Sequence, residues 1–386
     1  MSKSINVPKL RFKEFSGEWV NTKLGNLGNF QGGGTPATSE DKYWIGNIPW
    51  ISSSDIIEGD IKNIKIHRFI NDISIKESAT KLIAKNSILF VSRVGIGKVA
   101  IANTDLCTSQ DFTNLTLIKD DSYFIGYYFL SKNRLLEKYS QGTSIKGFTM
   151  NDLKTLKLNL PSKQEQEKIA SFLTSVDTKI EQLTKKDELL QQYKKGVMQK
   201  IFNQEIRFKA DDGSDFREWE EKKLWEIITQ NKKSPLNVNS SSENGLYPFF
   251  TSGENINRCD EFLVDGLNLL MNDGGVAGIK LYNGKCSYSN HTLSFKANKS
   301  NSTFFIYFYI QYKLKEIDTK FFVGSGLKNL AKSDFFKYFN VKIPSIQEQT
   351  KIANFLSSID SKIEQVQKQL NSIKEFKKAL LQQMFV

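Results

Sequence analysis

Two stretches of the chain carry apolar residues at a seven-residue period. The first has Ile169, Val176, Leu183, Leu190 and Val197, with a companion row at Leu173, Ile180 and Ile201. The second has Ile352, Ile359, Val366, Ile373 and Leu380, with Leu356, Ile363, Leu370 and Met384 as companions. Alternating three- and four-residue spacing over several heptads predicts a coiled-coil seam. Each stretch opens with Pro and Ser, and a Glu follows three residues after the Ser: Ser162 and Glu165, Ser345 and Glu348. That spacing predicts a capping box, in which the Ser oxygen takes a free backbone N–H and the Glu reaches back to the cap. Beyond the cap there is no Pro and a single Gly, Gly196, so each helix can run for roughly 40 residues, a rod of about 60 Å. Asp187, Lys194 and Lys377 interrupt the companion row; each marks either a frayed end or a place where another protein covers the seam.

The two stretches are copies of each other. The run from Pro161 to Ala170, PSKQEQEKIA, returns from Pro344 to Ala353 as PSIQEQTKIA, and SFLTSVDTKIEQ returns as NFLSSIDSKIEQ without a gap. A weaker repeat opens each half: Arg11-Phe12-Lys13 with Trp19, then Arg207-Phe208-Lys209 with Trp219. Repeats of this kind set the architecture before any local reading does. The plan is leader, globular region and long helix, used twice, and a globular region between the helices predicts that they pair antiparallel. The expected boundaries are 1–157 for the first globular region, 158–203 for the central helix, 204–340 for the second region and 341–386 for the distal helix.

The globular regions mix short β-type runs with Gly and Asn punctuation. Ser87 to Arg93 and Val99 to Ala102 predict strands around Gly95-Ile96-Gly97, and Leu267 to Met271 and Ile279 to Tyr282 bracket Asn272-Asp273-Gly274-Gly275. Helices are expected over Ser122 to Tyr139 and Ser302 to Lys315. The fold class is therefore α+β: two domains with twisted, irregular sheets, separated by two long antiparallel coiled-coil helices. Both regions close on a similar loop, Gly142-Thr143-Ser144-Ile145-Lys146 and Gly324-Ser325-Gly326-Leu327-Lys328. Small hydroxyls and a Lys on such a loop suit phosphate or base-edge contact, although a surface hairpin with an incidental Lys is an equal alternative.

Composition narrows the partners. The chain of 386 residues has a formal net charge of +12 and a pI near 9.3, a surplus that favours an anionic partner, with nucleic acid first. The three cysteines, Cys107, Cys259 and Cys286, form no C-x-x-C pair and read as small buried hydrophobes. The start, MSKSINVPKL, lacks the apolar core of a secretion signal, and no apolar run is long enough to span a bilayer. A cytoplasmic protein without membrane attachment is expected.

On these motifs the chain resembles the specificity subunits of type I restriction–modification systems. The P-S-x-Q-E-Q-x-K-I-A start of each long helix is similar to that family's conserved regions. Gly32-Gly33-Gly34-Thr35-Pro36, Tyr43-Trp44 and Ile48 through Asp55, IPWISSSD, resemble one frequent opening of its target-recognition domains. Arg93 through Lys98 fits the same pattern, and Tyr247-Pro248-Phe249-Phe250-Thr251-Ser252-Gly253 resembles another common opening. The resemblance covers essentially the whole chain. It implies two target-recognition domains, each reading one half of a split, asymmetric site in double-stranded DNA, with the paired helices as a ruler. It also implies docking of two modification subunits, which use S-adenosylmethionine to methylate adenine, and of restriction subunits that add an ATP-dependent, Mg-requiring nuclease. None of those cofactors is expected in this chain.

The residues agree that the chain itself has no catalytic centre. An adenine methyltransferase needs Pro-Pro in its catalytic motif, and the chain has no such pair. The segment Ser92 to Val99 lacks the first Gly and the Ser/Thr of a phosphate loop. Two histidines, His67 and His291, are too few for a zinc site. Candidate DNA contacts in the first region are Thr35, Ser53, Ser54, Arg93, Lys98, Gln110, Ser144 and Lys146. In the second they are Thr251, Ser252, Lys280, Asn290, His291, Ser325 and Lys328. They rest on loop placement and on the side-chain types that reach phosphates and base edges. Three rivals remain: a specificity subunit of an enzyme with fused modification and cleavage parts, a small stand-alone nuclease, and a scaffold that only bridges proteins through its helices.

Overall fold

A computed structural model describes residues 6–132, 135, 136 and 147–386. Its helices in chain order are α1 (Asp72–Glu77), α2 (Ser122–Ser131), α3 (Met150–Thr155) and α4 (Lys163–Phe202), then α5 (Leu224–Ile227), α6 (Thr303–Phe321), α7 (Lys332–Tyr338) and α8 (Ile346–Gln383). The chain divides into two compact units, residues 1–184 with 368–386, and residues 185–367. Both long helices are continuous, and each contributes one half to each unit.

In the first unit, a four-stranded antiparallel sheet runs in the order Gly28–Gly32, Phe112–Leu117, Ile88–Val91, Val99–Ile101. A second sheet has the order Arg68–Ile70, Ile48–Ile51, Leu106–Thr108, Leu82–Ile83, with Ile48–Ile51 and Leu106–Thr108 parallel. The second unit repeats the plan. Ile228–Gln230, Thr292–Ala297, Leu267–Asn272 and Ile279–Asn283 form the four-stranded sheet, and Ile256–Cys259, Tyr247–Phe250 and Ser287–Tyr288 the smaller one, again with a parallel pair, Tyr247–Phe250 on Ser287–Tyr288. The strands expected around both glycine turns are present. The helix expected over Ser302 to Lys315 continues to Phe321.

Most seam residues are buried, chiefly in the cores of their own units. Ile169, Leu173 and Val176 join Trp19, Phe124 and Tyr127 in one core, together with Leu380 and Met384 from the end of α8. Ile352, Leu356, Ile359 and Ile363 join Phe305, Phe308 and Phe335 in the other, with Met198 and Ile201 from the end of α4. Leu183 and Val366 are buried, and Ile180, Leu190 and Leu370 are half-buried. The start of one long helix thus packs beside the end of the other in each unit, which makes the pair antiparallel. A stripe of this kind buries roughly 1.5–3 kcal/mol of hydrophobic free energy per large side chain.

The capping expectation needs correction. The Ser162 and Ser345 oxygens do accept from the N–H of Glu165 and Glu348, at 3.4 and 3.3 Å. The Glu side chains do not return to the cap. Glu165 takes two hydrogen bonds from the Arg11 guanidinium, both 2.7 Å, and one at 3.4 Å from the Trp19 indole. Glu348 is held in the same way by Arg207, at 3.3 and 3.1 Å, and by Trp219 at 3.2 Å. Both carboxylates are buried, and a buried charge requires a full counter-ion, which a helix cap cannot supply. The next Gln completes the clamp. Gln166 accepts from the N–H of Asp121 at 3.0 Å and Gln349 from that of Ser302 at 2.9 Å, fixing the N-cap residues of α2 and α6. The two repeats seen in the sequence, leader and helix start, are therefore halves of one device.

Two of the three interruptions in the companion row are also paired. Lys377 meets Asp177 at 2.6 Å in the first unit, and Lys194 meets Asp360 at 2.6 Å in the second. Each ammonium lies over an aromatic ring, Tyr127 at 5.7 Å and Phe308 at 5.3 Å. Both are paired within their own units rather than frayed. Asp187 is half-buried, with one carboxylate oxygen lacking a hydrogen-bond partner.

Candidate nucleic-acid interface

In each unit, four chain segments meet at one end of the four-stranded sheet, held by backbone hydrogen bonds. In the first unit, Ser109 N–H donates to Ile51 O at 2.9 Å, Ser92 N–H to Asp111 O at 2.7 Å, and Phe148 N–H to Ser92 O at 3.2 Å. In the second, Ser289 N–H donates to Phe250 O at 2.9 Å, Asp273 N–H to His291 O at 3.3 Å, and Leu330 N–H to Asp273 O at 2.8 Å. The same three joints recur at matching positions. They align Ser92 with Asp273, Gln110 with Asn290 and Asp111 with His291, and they place Arg93 opposite Gly274.

Glycine makes the first cluster compact. A Cβ on Gly33 would lie 2.1 Å from Ser109 O and 2.3 Å from the Thr108 hydroxyl, so only Gly lets this segment pass so close to the turn that carries Gln110. Thr35 then bonds to Gln110 through its hydroxyl. Gln110 and Arg93 are both exposed, and with Ser92, Gly147 and Thr149 they border a cavity of about 580 Å³. Two exposed side chains suited to base edges thus share one concave surface.

Other candidates in this unit hold the frame. Ser53 is buried, and Ser54 is exposed, within 2.9 Å of the Ser52 hydroxyl. The Lys98 ammonium donates to the carbonyls of Ser53 at 3.5 Å and Ile56 at 3.2 Å, tying the glycine turn to the IPWISSSD segment. Arg68 was not anticipated. It lies over the Trp50 ring at 4.5 Å and donates to Ser52 at 2.7 Å and Asp55 at 2.5 Å. Ser144 and Lys146 lie outside the described residues.

The second cluster has different chemistry on the same frame. Ser252 donates to His291 O at 2.5 Å, Gly253 N–H donates to the hydroxyl of buried Thr251 at 3.2 Å, and Lys280 donates to Gly253 O at 2.5 Å. Burial lowers the Lys280 pKa from its ordinary value, with Glu254 opposing the shift. His291 is exposed, and its Nδ1 lies 3.4 Å from the buried carboxylate of Asp273, which also pairs with Lys332. The Asn-Asp-Gly-Gly turn also holds the closing loop, since Gly275 N–H donates to Lys328 O at 2.9 Å. Asn290 is half-buried, with an amide oxygen that finds no partner. Lys328 is exposed, 3.5 Å from Asp318. Ser325 is exposed on the same loop.

A model of the type I restriction–modification DNA specificity domain matches the chain twice, over residues 16–191 and 217–375. The chain belongs to that family. Its role is DNA target specificity within a type I restriction–modification complex, and such subunits are non-catalytic. The MjaIX specificity subunit of Methanocaldococcus jannaschii is 27% identical over 94% of this chain and 92% of its own. The EcoR124I/EcoR124II specificity subunit of Escherichia coli is 31% identical over 45% of this chain and 44% of its own. The crystal structure of the S subunit from M. genitalium shares the fold, with a TM-score of 0.68 over 98% of this chain and 99% of that one at 20% identity. Specificity subunits of this family bind DNA and assemble with other restriction–modification subunits. Among the described residues, no helix is long and apolar enough to cross a membrane.

Proposed function

We propose that the two loop clusters each read one half of a split, asymmetric target in double-stranded DNA. The observation that carries this reading is the pairing of one backbone frame with two sets of side chains. Arg93, Gln110 and Asp111 in the first cluster stand against Gly274, Asn290 and His291 in the second. Gln and Asn can each pair twice with adenine in the major groove, accepting from its N6–H and donating to its N7, and Arg can donate two hydrogen bonds to O6 and N7 of guanine. Equal frames with unequal side chains suit two half-sites of different sequence. The complex then includes two modification subunits, which methylate adenine from S-adenosylmethionine, and restriction subunits that use ATP and Mg. The compartment is the cytoplasm.

The test is a methylation profile of a host genome with and without this chain, in the presence of its modification partner. A split adenine motif that vanishes with the chain is the expected result. Unchanged methylation would remove the target-selection role and leave the protein-bridging scaffold.

A further inference from the structure

We propose that the last turns of α8 carry a binding site for the phosphodiester backbone of the same duplex, built by Lys374 and Lys378 against the glycine turn of the first unit. The proposal rests on the DNA-reading role above. A second cavity of the first unit, about 460 Å³, is bordered by Gly95, Gly97 and Lys98 on one side and by Lys374, Lys377 and Lys378 on the other. Among the described residues, Glu58 is the one acidic side chain on its border. Two of these lysines are already engaged, Lys98 with the carbonyls of Ser53 and Ile56, and Lys377 with Asp177. Lys374 and Lys378 are exposed and have no ion pair among the described residues. They stand one helical turn apart, where like charges repel and destabilise a helix. An unpaired cationic doublet facing a concave surface favours an external anion.

The position of the turn says which anion. Val94, Gly95 and Gly97 have φ of 42°, 96° and 96°, so the chain reverses tightly after Arg93. Arg93 borders the recognition cavity and Gly95 to Lys98 border the basic one. One turn therefore presents a base-reading flank and a phosphate-binding flank, and a duplex on the first extends over the second. In the other repeat the matching helix positions are Gln191 and Lys195, so the doublet belongs to the first unit alone.

The test uses the full chain assembled with its modification partner. Binding of a target duplex and of a scrambled duplex is measured over a salt series for the wild type and for the Lys374→Gln, Lys378→Gln double variant. The expected result is a salt slope smaller by about 2, from two lost phosphate contacts, with the ratio of target to scrambled affinity unchanged. An unchanged slope overturns the site, and so does an unchanged slope with lost assembly, which would make the doublet a docking point for an acidic protein surface. A lower melting temperature with an unchanged slope also overturns it, leaving the lysines as partners of the helix dipole. Titration with inorganic phosphate alone at fixed ionic strength separates the sources: saturable binding at low millimolar phosphate would indicate a free-anion site and overturn the duplex assignment. A wild type that fails to distinguish target from scrambled DNA would instead sink the DNA-reading role itself.

Discussion

The two units are most alike where they are buried and least alike at their loop clusters. Arg11, Trp19, Glu165 and Gln166 in one find their equals in Arg207, Trp219, Glu348 and Gln349 in the other, with the same donors on the same acceptors. At the loop ends, the equivalents of Ser92, Arg93 and Asp111 are Asp273, Gly274 and His291, although the backbone joints are the same. A buried charge tolerates little change, because removing either partner strands the other in a poorly solvated place. An exposed side chain on a braced turn can change at small cost in stability. The frame is thus free to hold two different reading surfaces.

The largest effect expected is on the frame. Glu165→Ala leaves the Arg11 guanidinium and the Trp19 indole without their acceptor and should cost about 4 kcal/mol, read by denaturant unfolding of the full chain. Glu348→Ala should cost a similar amount; a loss under about 1 kcal/mol in both would mean that the clamp is ornamental.

The lysine–aspartate pairs sharpen the comparison, because the units differ in how deeply they bury them. Side-chain exposure is 13% for Lys377 and 11% for Asp177, against 15% for Lys194 and 37% for Asp360. Lys377→Met strands a buried carboxylate and should cost about 3 kcal/mol. Lys194→Met leaves Asp360 to water and should cost about 1 kcal/mol. Equal losses would show that burial does not set the difference.

Next come the reading surfaces. Gln110→Ala should weaken binding by about 2 kcal/mol and relax preference at one position of one half-site. Asn290→Ala should do the same in the other half only. Binding to duplexes substituted one base pair at a time checks both, and a uniform loss across all positions would demote these amides from base readers to supports. The smallest change is expected for Lys328→Gln, which should lower the salt slope by about 1 and leave sequence preference intact. An unchanged slope would take the closing loop of the second unit out of the interface.

The sequence by itself determined the plan. The 183-residue echo from Pro161 to Pro344, the heptad rows and the leader repeats are local patterns. They specify helix, strand and order because periodicity and turn chemistry act over a few residues. Family motifs lay on the same residues, so the DNA role was legible as well. Tertiary structure decided the partners. Glu165 had a sound local destination at its own helix cap, and the leader's Arg and Trp outcompeted it from 154 and 146 residues away. Lys377 broke an apolar row, and only antiparallel packing revealed Asp177 opposite it. Ser53, Lys98 and Lys280 suited DNA by type, yet the fold buries the first and ties the ammonium groups of the other two to carbonyls. Side-chain chemistry is written in the sequence, but whether a polar group meets water, a counter-ion or a ligand depends on what the rest of the chain brings beside it.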